Sequence, residues 1–181
     1  MPLEYESNSL FDLLHANFLS TENKTLFSYG LILFLIPLFP LHQLIIGTIV
    51  NALLIKSAIS MKTKNVFFLA LIPSIAVATG GLLFSGLTSA MIYMLPFIWA
   101  GNVVLMLFMR KMFMHKKRNY LLASLAGATA KTALLFTAAF VLLAYSFGPV
   151  LFLTAFGIIQ FVTAIAGAVL IGAADKFLLK K

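Results

Sequence analysis

The chain contains no cysteine, which excludes disulfides, iron–sulfur ligation and thiol nucleophiles together. Its three histidines, His15, His42 and His115, are scattered and have no metal-ligand spacing. Carboxylates are equally scarce. Of the 5 acidic residues, Glu4, Glu6, Asp12 and Glu22 precede the first long apolar run and Asp175 follows the last, so the runs between them hold no acid. Membrane hydrolases need a nucleophile with its base or a metal cluster, and intramembrane proton relays usually run through Asp, Glu or His. The apolar runs supply neither, and no GxxxxGK[ST] phosphate loop is present. The sequence therefore reads as a protein that is not an enzyme and needs no cofactor. If it moves a solute uphill, the energy comes from another chain.

What the chain has in abundance is apolar surface. Of its 181 residues 62% are hydrophobic and 10% charged, and the mean hydropathy is +1.06. Stretches of about 20 apolar residues match a hydrocarbon core about 30 Å thick. The expected fold is all-α, a polytopic membrane protein with a bundle of six transmembrane helices over 25–40, 41–60, 65–84, 88–109, 119–147 and 150–174. The first of these is short and ends at Pro37 and Pro40, so it is either tilted or only a partial span. Two parts are expected: an acidic amphipathic arm at 1–24 lying at the interface, and one transmembrane domain over 25–181. The arm begins acidic and lacks the basic region and cleavage site of a secretory signal.

The net charge of +8 does not point to nucleic acid, because the basic residues sit in short clusters between apolar runs. Lys56, Lys62 and Lys64 form one cluster, Arg110, Lys111, Lys116, Lys117 and Arg118 a second, and Lys176, Lys180 and Lys181 a third. The intervening turns carry no charge. By the positive-inside rule these loops and the C-terminus are expected in the cytoplasm, with the protein multi-pass in the cell membrane.

One basic residue breaks the pattern. Lys131 lies about 18 Å along a helix from Asn119, too deep to reach water easily. A cation at that depth costs about 2.5–3.5 kcal/mol on insertion scales, so it faces a partner or a wet cavity. With no acid in the spans, its counter-charge is either dispensed with, through backbone carbonyls or a neutral amine, or brought by a small anionic solute. Asn51, Asn102 and Gln160 fall at similar depth, Thr79 in the outer half, and Gln43 near the outer face, while Trp99 adds an indole. Converging, these seven residues would form a substrate site. The competing reading makes the amides interhelical glue and gives Trp99 a packing role. Small residues at Ala123, Gly127, Ser124 and Ala128, and again at Ala164, Ala168 and Gly172, mark faces for close helix packing.

QLIIGTIVNALLI at 43–55, PSIAVATGGLLFSG at 73–86, MLPFIWAGNVVLM at 94–106 and QFVTAIAGAV at 160–169 together resemble a small prokaryotic membrane family whose members are similar to the S components of energy-coupling factor (ECF) transporters. Some of its members are labelled iron hydrogenases, a chemistry for which a chain without cysteine has no ligands. The resemblance implies a six-helix subunit that captures a vitamin, a vitamin precursor or a metal ion from the outer side. It further implies an ECF coupling protein and two ATPases as partners. The Ala-x-x-x-Ala that S components typically show on their first helix is absent from 25–40; Ala126 and Ala130 have that spacing elsewhere. The alternative function is a structural or assembly subunit of a membrane complex with no solute site.

Overall fold

The computed structural model describes residues 21–80 and 88–175, and every regular element among them is helical. Most of the expected N-terminal arm and the three C-terminal lysines lie outside the described residues. Helix α1, Thr21–Leu35, runs into a 3-10 turn at Ile36–Leu38, where Pro37 ends the α-helical hydrogen bonding. Helices α2 (Gln43–Ser60), α3 (Thr63–Gly80), α4 (Thr88–Phe108) and α5 (Tyr120–Ala144) follow, and α4 winds on as a π-helix through Met109–His115. The last run is divided into α6, Leu151–Phe156, and α7, Ile158–Ala174.

Four stretches are long and apolar enough to cross a membrane: Gln43–Ser60, Ala90–His115, Tyr120–Ala144 and Leu151–Ala174. The apolar stretch Thr63–Thr79 is shorter, and the 15 residues of α1 extend only about 22 Å. Exposed side chains on these helices are largely apolar, Phe68, Phe136, Phe140, Ile158 and Val169 among them, as a lipid-facing surface requires. The helix expected to end at Met109 extends to His115, so Arg110 and Lys111 of the second basic cluster are helical rather than loop. Pro73 and Pro96 lie inside α3 and α4 without ending them.

The break at Gly157 was not readable from the sequence. Gly157 has φ −92° and ψ −108°, off the helical values, and a Cβ there would stand 2.4 Å from the Leu153 carbonyl oxygen and 3.0 Å from the Phe136 ring. Only glycine lets the chain step past Leu153 and start a second helix.

Helix packing is set by small residues. The α2–α7 contact is tight at Gly167, where a Cβ would lie 2.7 Å from the Ala52 nitrogen and 2.9 Å from the Thr48 oxygen. Nothing larger fits between two backbones at that spacing. One turn away, Gly47 faces the Thr163 side chain, and on the α4–α5 contact Gly127 faces Leu105 and Phe108. Two apolar clusters result. One contains Leu54, Ile55, Met106, Met109 and Tyr120, the other Met94, Leu135, Phe152 and Phe156. Along α4 and α5 a polar layer at Asn102 and Lys131 separates them.

The end of the bundle that carries the first two basic clusters is clamped by polar contacts. Arg110 donates to the carbonyl oxygens of Ala58 (3.1 Å) and Met61 (2.7 Å) and to Thr63 Oγ1 (3.1 Å), capping the end of α2. Lys56 pairs with Asp175 at 2.9 Å, and Lys62 with Glu22 at 3.0 Å. Tyr120 Oη donates to the Ala168 oxygen at 2.8 Å, fixing the start of α5 to α7.

Gly167→Ala should lower the thermal unfolding midpoint in detergent by several degrees, about 1–3 kcal/mol of overpacking, despite the better helix propensity of alanine. Val169→Ala, at a 56% exposed position, should change it little. The Glu22 carboxyl is held below its ordinary value of 4.5 by the Lys62 side chain first, then by the Lys62 backbone N–H, with Asn65 Nδ2 adding a smaller share. Its contribution to stability is therefore present above 4.5 and disappears as pH falls through the lower folded value. Hydrogen exchange in α1 should accelerate on acidification below that ordinary value in the native protein, and Glu22→Gln should remove this pH dependence.

Candidate functional site

Lys131 stands near the middle of α5 and is 2% exposed. Its Nζ donates to Asn51 Oδ1 on α2 at 2.7 Å and to Asn102 Oδ1 on α4 at 2.8 Å. Both asparagines are themselves fixed in place. Asn51 Nδ2 donates to Thr163 Oγ1 on α7 at 3.1 Å, whose hydroxyl donates to the Gln160 carbonyl at 3.2 Å. Asn102 Nδ2 donates to the Ala70 carbonyl oxygen on α3 at 2.9 Å. One lysine thus joins five helices through two amides.

The electrostatics are one-sided. Glu22 and Asp175 are the only carboxylates among the described residues, and both are paired with lysines at the clamped end. An ammonium has three N–H donors and no acceptor capacity. Two are used by the asparagines, and no described residue takes the third.

Beside the lysine is a cavity of about 80 Å³. Lys131, Asn51 and Asn102 line it together with Gln43, Gln160, Ser74 and Thr163, and Pro37, Met91, Ile98 and Phe156 supply apolar walls. Gln43 begins α2, Met91 lies in the first turns of α4, and Val77 lies near the end of α3. The cavity therefore occupies the half of the bundle away from the clamped basic end. The Gln43 and Gln160 side-chain amides make no hydrogen bond to another described residue and are half-buried at its wall.

Of the seven residues expected at a site, the structure brings Lys131, Asn51, Asn102, Gln160 and Gln43 to one cavity. The other two stand outside its lining. Thr79 is exposed, and its hydroxyl bonds back to the Ile75 and Ala76 carbonyls of its own helix at 3.0 and 3.1 Å, the usual choice of a helical threonine with no better partner. Trp99 donates its indole N–H to Ser74 Oγ, so it acts on the wall from behind. Ser74 and Thr163 were the residues that sequence reasoning passed over. Both are small hydroxyl residues in apolar helices, a type too common there to stand out, although Thr163 lies one turn from Gln160.

What the arrangement can do chemically follows from its donors. In its charged form the buried Lys131 amine has one N–H beyond the two it gives to the asparagines, and with two side-chain amides around a small cavity it can hold a small anion or a strongly accepting oxygen. No described side chain offers a nucleophile with a base, and no group of three or more metal-ligating side chains occurs among the described residues.

The buried triad makes a coupling prediction. Asn51→Leu should destabilise the protein by about 1–3 kcal/mol, because it strips one of two acceptors from a buried cation. In a Lys131→Met background the same change should cost less, giving a double-mutant coupling of about 1–2 kcal/mol by unfolding in detergent. Additive effects would separate the two side chains energetically. No family model, curated protein or solved structure matches this chain, so the site is interpreted from its own chemistry.

Proposed function

We propose that the protein is a solute-binding membrane subunit that takes up a small molecule through an acceptor or anionic group seated at Lys131. The observation that carries this reading is the lysine itself: a deeply buried amine with two neutral acceptors, no carboxylate partner among the described residues and a cavity that it lines. A side chain kept only for packing would be better replaced by leucine or methionine, since burying a cation costs several kcal/mol that neutral amides repay only in part, about 1.5–3 kcal/mol per bond.

The cavity limits the guest. At about 80 Å³ it has room for on the order of five waters, far below the roughly 300 Å³ of a drug-sized pocket. A carboxylate, an inorganic anion or the polar end of a longer solute fits; a whole vitamin requires α1 or the α6–α7 break to move. A metal cation is disfavoured beside an ammonium. By the positive-inside rule the clamped basic end is cytoplasmic and the cavity lies in the outer half, where incoming solute arrives. In this reading α1 and α3 cross as well, giving six spans, and the subunit works as an S component does, with a separate coupling protein and ATPases.

A structural role as an assembly subunit is the second reading, and the completeness of the amide network favours it: the lysine is already tied to two asparagines that link α2, α3, α4 and α7. Native mass spectrometry of the full chain purified from its own membranes separates the two. Solute binding predicts a retained small molecule that is lost, by about tenfold or more in occupancy, in Lys131→Met and partly kept in Lys131→Arg. A bare mass in the native protein, together with unchanged folding of Lys131→Met, would sink the solute reading.

A further inference from the structure

A second site lies at the clamped end, far from Lys131 and independent of it. A groove of about 520 Å³ runs between the end of α4 and the start of α5. Leu107, Phe108 and Leu122 form its apolar wall, and Leu107 and Leu122 are 42% and 48% exposed. Lys111, Lys116 and Arg118 form its rim, all three exposed.

The π-helical winding builds the rim. In an α-helix, residues five apart point about 140° away from each other. Here the Lys116 N–H bonds the Lys111 carbonyl at 3.0 Å and the Arg118 N–H returns to Met112 at 2.9 Å, which places the three cations over one groove. Like charges gathered in this way repel one another. Neighbouring cations are compensated: Lys56 and Lys62 have carboxylate partners and Arg110 is bonded to two carbonyls. No described side chain compensates Lys111, Lys116 or Arg118. The cluster also sits at the end of the apolar stretch Ala90–His115, where a span of that length would meet the lipid headgroups, and its apolar wall belongs to that stretch and to the start of α5.

We propose that this groove binds an anionic glycerophospholipid, its phosphate among Lys111, Lys116 and Arg118 and an acyl chain along Leu107, Phe108 and Leu122. Charge complementarity selects the headgroup, and the wall selects a lipid over a soluble phosphate.

The test is native mass spectrometry of the full chain in detergent, titrated with phosphatidylglycerol or phosphatidylcholine. Phosphatidylglycerol should bind at least about tenfold more tightly than phosphatidylcholine, and K111Q/K116Q/R118Q should abolish that preference. K24Q/K64Q, which removes two exposed charges outside the groove, should preserve it. The single variants K111Q and K116Q, each expected to lose about threefold, carry the test should the triple variant not fold. Equal binding of the two lipids, an undiminished preference in the charge variants, full competition by glycerol 3-phosphate, or a second copy of the chain held in the lipid's place would each overturn the proposal.

Discussion

The structure depends on one interaction, the Lys131 ammonium held at 2.7 and 2.8 Å by two asparagine carbonyls in a layer with no carboxylate. A buried acid would have neutralised the charge and closed the site. Neutral amides instead accept from the amine without cancelling a charge on it, so in its charged form its field is available to whatever enters the cavity. Each asparagine spends its other half on a neighbouring helix, Asn51 on Thr163 and Asn102 on Ala70. The lysine cannot shift without disturbing α2, α3, α4 and α7 together.

Close packing makes that layer feasible. Asn51 reaches Thr163 because Gly167 and Gly47 allow α2 and α7 to touch nearly backbone to backbone, and Lys131 lies one turn beyond Gly127, which brings α4 against α5. The apolar clusters on either side exclude other acceptors from the amine. Interhelical hydrogen bonds in membranes average only about 0.6 kcal/mol, so glycine contacts and apolar burial hold the bundle, and the polar layer determines its register. The Arg110 clasp and two ion pairs fix the far end, whereas the half that contains the cavity has no ion pair among the described residues and is held by packing and the Trp99–Ser74 hydrogen bond.

Much of the central layer was legible in the sequence, because a lysine and two asparagines inside long apolar runs have few reasons to be there. Depth put Asn51, Asn102 and Gln160 level with Lys131, with Gln43 and Thr79 nearer the outer face, but it did not tell which of these faces converge. Hydroxyl residues were harder: Thr79 satisfies itself on its own helix, whereas Thr163 and Ser74 reach across, and the sequence does not distinguish these states. The Gly157 break also went unread because apolar residues continue through it, and the helical winding at Met109–His115 because its basic residues read as a loop. The number of spans was only partly readable. Four stretches have the length and apolarity to cross, and the helix α1 and the apolar stretch Thr63–Thr79 of α3 fall short, so whether they cross depends on tilt and neighbours that hydropathy does not encode.

The central claim is that Lys131 remains charged and keeps one donor for a visiting acceptor. Nitrogen-15 NMR of lysine-labelled protein, assigned by Lys131→Arg, reads this at the atom concerned. The account predicts an ammonium resonance at Nζ that shifts when protein purified from its membranes is stripped of small molecules by exhaustive dialysis. A neutral amine, or an ammonium whose resonance is identical before and after, would contradict it.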